Sequence, residues 1–258
     1  MLSICYDPYV GTLGRFTRAE IFELIAKAGY EGINVPVNQA FLGELSSSEI
    51  DDAAKLAEKY NLVVPTIGFG NHIVTDPQRK AEALKHFEIV LNVAKRLNAK
   101  IIGVWPNLPK NTSREMALDT LADNLSRMLP ALDEHRMKIA LEFEKGCPID
   151  NYREGIEFIS QTDLRLTLTC DTYHLFNDNA APYDAVLEMR EQLGDVHVSG
   201  SHRGEPGTDA FDFESFAQGL KEIGFNGPLV SQYHLKDVDS IARSCAFSKK
   251  LREMITTR

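Results

Sequence analysis

Short runs of β-branched and other apolar residues alternate with longer amphipathic stretches along the chain, eight times over. The pattern predicts strands at residues 2–5, 31–35, 62–67, 100–104, 138–144, 165–171, 195–199 and 228–232. Helices are expected over 17–28, 47–60, 76–97, 113–135, 152–161, 183–192, 212–223 and 238–254. Thr17 with Glu20 has the spacing of a capping box, and Gly29 ends the first helix. Asp76 and Pro77 read as the cap and first residue of the third helix. Strands that alternate with helices of ten or so residues imply parallel βαβ units. Eight such units imply closure into a single (β/α)8 barrel spanning residues 1–258. The rival architecture is an open doubly wound sheet. No Gly-rich GxGxxG follows the first strand, so a dinucleotide-binding version of it has no support.

Composition agrees with one barrel. The chain has 258 residues, 43% of them hydrophobic and 25% charged, where about 250 residues is typical of this fold. The net charge of −9 comes with no basic stripe, which argues against a nucleic-acid partner. Four cysteines without CxxC spacing read as free thiols of a reducing compartment. The opening MLSICYDPYV has no basic n-region or cleavage signal, and no window of eighteen apolar residues occurs. A cytoplasmic protein without a membrane span is expected, and homo-oligomers are left open.

Candidate chemistry gathers at the C-terminal ends of the last four strands. Side chains alternate along a strand, so in KIALEFE both Glu142 and Glu144 share a face with Ala140, away from Ile139 and Leu141. Asp171 ends the sixth strand on the face of Thr167 and Thr169, with His174 in the loop that follows. His197 alternates with Val196 and Val198, and Gln232 tops the eighth strand. Each has an ordinary structural explanation: a solvated carboxylate, a loop cap, a core histidine, a hydrogen-bonded amide. Together, carboxylate, carboxylate, imidazole and amide at four successive strand tops make a donor set for one divalent cation such as Mn²⁺, Mg²⁺, Co²⁺ or Zn²⁺. Barrel enzymes build their sites at this end. His72, Trp105 and Asn107 join the candidates only through their position near strand ends.

Across its whole length the sequence resembles the xylose isomerase-like barrels that include ketose 3-epimerases and inosose-processing enzymes. The resemblance is carried by AKAGYEGINV, TDP before the third helix, ALE at Glu142, DTYH at Asp171 to His174, HVSGSHRGEPG from His197, and GFNGPLVSQY. It implies a metal held by Glu142, Asp171, His197 and Gln232, with His174 and Arg203 touching substrate. It implies a sugar or sugar phosphate isomerase or epimerase that removes a proton alpha to a carbonyl through an enediolate.

Two departures qualify this. Gln232 stands where the family usually carries glutamate. An amide oxygen coordinates a cation but does not accept a proton near neutral pH. Three options follow: Glu144 acts as a second base beside Glu142, the reaction is a one-base isomerisation, or the barrel binds sugar without turning it over. The strand-seven loop also reads PGTDAFDF in place of the family's PG-x-G. Endonuclease IV, a DNA-repair barrel, resembles the chain at Glu142, Asp171, His174 and His197. It needs an Asp-x-His pair after strand seven, whereas Asp209 here is followed by Ala210 and Phe211.

Overall fold

The computed structural model describes residues 2–257; positions 1 and 258 of the expected domain lie outside them. β1 (Ile4–Tyr6) leads to α1 (Arg18–Ala28), which starts on the full Thr17–Glu20 capping box and stops at Gly29 in the left-handed region. β2 (Gly32–Ile33) and β3 (Val35–Pro36) follow, then a short α2 (Gln39–Leu42) and α3 (Ser47–Lys59). β4 (Thr66–Gly68), α4 (Lys80–Leu97), β5 (Ile101–Val104) and α5 (Arg114–His135) complete the first half. The second half runs β6 (Lys138–Glu142), α6 (Tyr152–Thr162), β7 (Thr167–Asp171), α7 (Thr172–Asn177) and α8 (Pro182–Met189). It ends with β8 (Leu193–Val198), α9 (Phe213–Glu222), β9 (Leu229–Ser231) and α10 (Ser240–Thr256).

All strand pairs are parallel, in the order β2-β1-β9-β8-β7-β6-β5-β4-β3. β2 and β3 are two halves of the expected second strand, separated only by Asn34. Asn34 N donates to Tyr6 O at 2.9 Å, while Val37 N donates to Gly68 O at 3.0 Å. The strand thus changes partner at Asn34, and the ring comes round on itself as the expected (β/α)8 barrel. Leu168, Cys170, Val196 and Val198 face the helices and are fully buried. Among the described residues no helix is long and apolar enough to cross a membrane.

Three local expectations change. α4 begins at Lys80 rather than at Asp76, because Asp76 and Pro77 form a turn of their own. In it Asp76 Oδ1 accepts from Gln78 N at 2.9 Å and Asp76 O accepts from Arg79 N at 3.1 Å, the side-chain competition that Asp brings to turns. The helix expected over 183–192 is cut at Arg190, whose φ of 35° breaks it into α8 and a 3-10 turn. β6 stops at Glu142, so Glu144 lies in the following turn, where its N donates to Ile149 O at 3.0 Å.

The loop after β1 is clasped to the loop after β9. Leu235 N donates to Val10 O at 2.9 Å, and Gly11, at φ 86°, packs so closely that a Cβ there would lie 2.1 Å from Leu235 O. Only glycine meets both demands without strain. Gly11→Ala is therefore expected to lower unfolding free energy by more than about 1 kcal/mol, read by urea denaturation; an unchanged midpoint would show the clasp to be slack.

Candidate active site

Register brings the candidate side chains together. Glu142 pairs with Thr169 across β6 and β7, and Asp171 pairs with His197 across β7 and β8. The β7–β8 ladder shifts between Leu168 and Thr169, leaving Gly194 as the extra residue of β8. That bulge sets Asp195 opposite Thr169 and His197 opposite Asp171. A Cβ at Gly194 would meet Thr167 Oγ1 at 2.4 Å, so the bulge has room only for glycine in this position.

One donor atom from each of Glu142, Asp171 and His197 lies within 4.8 Å of the others. His197 Nδ1 is 3.7 Å from Glu142 Oε1 and 3.9 Å from Asp171 Oδ2. Neither Glu142 Oε1 nor His197 Nδ1 has a hydrogen-bond partner of acceptable geometry, although both are shut off from water. Unpaired buried polar atoms are costly. Two of them close together, beside the buried carboxylate of Asp171, fit a divalent cation bound by oxygen and imidazole.

Charge tells the same story. Burial by itself would lower the His197 imidazole, but Glu142 first, then Asp195 and Asp171, raise it to about 10. Burial would raise the Glu142 carboxyl, yet His174 and His197 hold it well below its ordinary range. Asp195 lies behind His197, with Oδ2 at 3.8 Å from Nε2. It is fully buried and accepts hydrogen bonds from Thr169 Oγ1 at 2.7 Å and Thr66 Oγ1 at 3.4 Å. At that distance the Asp195 carboxylate acts on His197 through its charge, favouring the charged imidazole.

Arg203 fastens the other side. It sits in the loop after β8 with φ at 56° and is 9% exposed. Its Nη1 donates to Asp171 Oδ2 and, at 3.0 Å, to Gln232 Oε1. Nη2 lies 3.1 Å from His174 Nε2. His174 Nε2 is also 3.3 Å from Glu142 Oε1, so His174 stands between the guanidinium and the carboxylate. The guanidinium lies over the rings of Tyr173 and Tyr9, 4.7 Å and 5.7 Å from their centroids. Gln232 uses both ends of its amide, since Nε2 donates to Asp7 Oδ2 at 2.6 Å. Burial pushes the Asp7 carboxyl up to about 6.

Above these groups opens a cavity of about 620 Å³. Glu142, Glu144, His197, Arg203 and Gln232 line it, as do His72 and Trp105, which meet edge to face at 4.7 Å. Trp105 Nε1 is buried without a partner. Asp171 and His174 stand behind the wall, the histidine on α7 and only 3% exposed rather than in an open loop. Asp171 also caps α7, accepting from Tyr173 N at 2.8 Å. Asn107 does not reach the cavity; its carbonyl accepts from Thr75 Oγ1 at 2.7 Å, which makes it part of the scaffold. Asp7, Tyr9, Tyr173 and Asp195 were not singled out from sequence. Asp195 shares the alternation of His197, and Asp7 that of Cys5, so the same rule that found Glu142 pointed to both.

The profile of the xylose isomerase-like TIM barrel family matches residues 22–251. A ketose 3-epimerase of Arthrobacter globiformis is 33% identical over 79 residues, which is 30% of this chain and 27% of that relative's length. A 3-dehydro-D-guloside 4-epimerase of Escherichia coli strain K12 is 24% identical over 241 residues, 85% of this chain and 88% of that one. The crystal structure of a D-allulose 3-epimerase from Methylomonas sp., in complex with D-allulose, superposes with a TM-score of 0.80 at 21% identity, covering 97% of each chain. With the family profile running from α1 into α10, the chain belongs to the xylose isomerase-like TIM barrel family.

Proposed function

We propose that this protein is a divalent-cation-dependent sugar isomerase or epimerase that removes a proton from the carbon next to a carbonyl. The observation that carries the reading is the convergence of Glu142, Asp171 and His197 under the cavity, with Glu142 Oε1 and His197 Nδ1 left unpaired. The epimerase names of the Arthrobacter and E. coli relatives support it.

Glu142, Asp171 and His197 would hold the cation, and Gln232 is used instead to tie Arg203 to Asp7. A bound dication there supplies Lewis-acid stabilisation of negative charge developing on substrate oxygen. Glu142 takes the proton from the carbon alpha to the carbonyl, and the electron pair left behind forms the enediolate. Arg203 and His174, locked by their mutual contact, fix the floor on which sugar hydroxyls are placed. His72 and Trp105 offer an apolar wall with one free indole N–H. Asp195, behind His197, adds negative charge that favours a cation on the imidazole side.

The cavity also selects for charge. Its lining carries the carboxylates of Asp7, Glu142 and Glu144 against the single guanidinium of Arg203, which is already paired. A phosphate dianion would find no lysine or arginine there other than the paired Arg203, so a neutral sugar fits better than a sugar phosphate. The same balance disfavours a DNA backbone.

The test is uptake of solvent deuterium, followed by NMR, into a panel of ketoses and 3-keto sugars in Mn²⁺-supplemented buffer. Wild type is expected to label at least one sugar, and Glu142→Gln to slow labelling by roughly 10²–10⁴-fold. Undiminished labelling in that variant would falsify the assignment of Glu142. A second outcome concerns protons. His197 keeps its proton up to about pH 10 without a cation, and a cation must displace it. Calorimetric Mn²⁺ affinity should therefore rise with pH from neutrality toward that value, by up to about tenfold per unit, with a proton released on binding. Affinity that is flat with pH contradicts the ligand role of His197.

A further inference from the structure

Asp7 has no part in the chemistry assigned so far, yet it is a carboxylate lining the cavity and only 5% exposed. It stands one residue past the end of β1, with its N donating to Ser231 O at 3.0 Å. Counted round the barrel, β1 is four strands from β6 in either direction, through β9, β8 and β7 or through β2/β3, β4 and β5. Asp7 and Glu142 therefore face the same cavity from opposite sides. Glu144, two residues beyond Glu142, approaches from the Glu142 side.

An enediolate is planar and has two faces. Inverting a carbon requires a proton to leave from one face and another to arrive on the opposite one. Two groups on the same side, such as Glu142 and Glu144, do not serve both faces. Groups across the barrel from one another do. One Asp7 oxygen is held by Gln232 Nε2 at 2.6 Å, and Gln232 is in turn held by Arg203, so the carboxylate is fixed in place.

We infer that Asp7 is the second catalytic acid–base group, serving the substrate face opposite Glu142, so that the enzyme inverts a carbon rather than moving a carbonyl. This rests on the proposed enediolate function and deepens it. In the forward direction the C–H bond breaks toward Glu142, its electron pair enters the enediolate, and the Asp7 carboxylic acid delivers a proton to the other face. Glu142 ends protonated and Asp7 ionised, and exchange with water restores both. In the reverse direction the roles are exchanged.

Asp7→Asn keeps the size and the acceptor oxygen for Gln232. The experiment takes C3-epimeric ketohexose pairs, D-fructose with D-allulose among them, in D2O with Mn²⁺, and follows labelling and interconversion by NMR. Wild type is expected to label and interconvert both members of a pair. In Asp7→Asn, interconversion should fall by at least about 10²-fold. The epimer whose proton faces Glu142 should still exchange, while its partner neither exchanges nor converts. Mn²⁺ affinity and melting temperature should be close to wild type. Adding Gln232→Glu, which returns a carboxylate beside the lost one, should restore exchange from the silent side. Equal loss for both epimers, or no loss for either, overturns the role of Asp7 while leaving the proposed function standing. A wild type that labels neither these ketoses nor any 3-keto sugar of the wider panel overturns both.

Discussion

Everything at the mouth of this barrel depends on too much negative charge in too little water. Glu142, Asp171 and Asp7 crowd the C-terminal ends of the strands with Asp195 one layer below them, and all but Glu142 are 5% exposed or less. Such a group of carboxylates is stable only if positive charge and hydrogen bonds compensate it. Arg203 supplies one charge and binds Asp171 directly. The His197 proton supplies another, which is why that imidazole is raised so far. The same surplus makes the position suited to a dication, which would replace the proton with a larger charge on the same atoms.

The scaffold exists to hold that charge in register. The bulge at Gly194 aligns Asp195 and His197 with Thr169 and Asp171, and the clasp at Gly11 ties the loop bearing Tyr9 to the loop bearing His234. Tyr9 and His234 stack at 5.6 Å between ring centroids, and Tyr9 and Tyr173 flank the guanidinium of Arg203. The loop after β1, the loop after β8 and α7 thus meet on a single arginine. Substitution of Arg203 would disturb charge and packing at once.

Much of this was legible in the chain because alternation is a strict rule. Glu142, Asp171 and His197 were placed at neighbouring strand tops by period two alone, and the structure brings them together. The barrel followed from eight repeats of one pattern. What sequence missed had physical reasons. Asp76 and Pro77 match a helix start and a turn equally well, and the turn won. Asp195 obeys the alternation, but a carboxylate at the start of a strand pattern reads as its boundary until burial shows otherwise, and Asp7 falls past the end of the first strand pattern. The β7–β8 bulge and the left-handed backbone of Arg203 depend on packing between distant segments, which no local pattern records. Asn107 was selected by position alone, and position did not determine which way it faces.

Anomalous scattering from a crystal grown with Mn²⁺ tests whether Glu142, Asp171 and His197 hold a cation. One strong peak per chain is expected within bonding distance of a carboxylate oxygen of Glu142 and of Asp171 and of His197 Nδ1, absent in a His197→Ala crystal. No peak at that point under saturating Mn²⁺, or a peak held by other side chains, would contradict a cation site there.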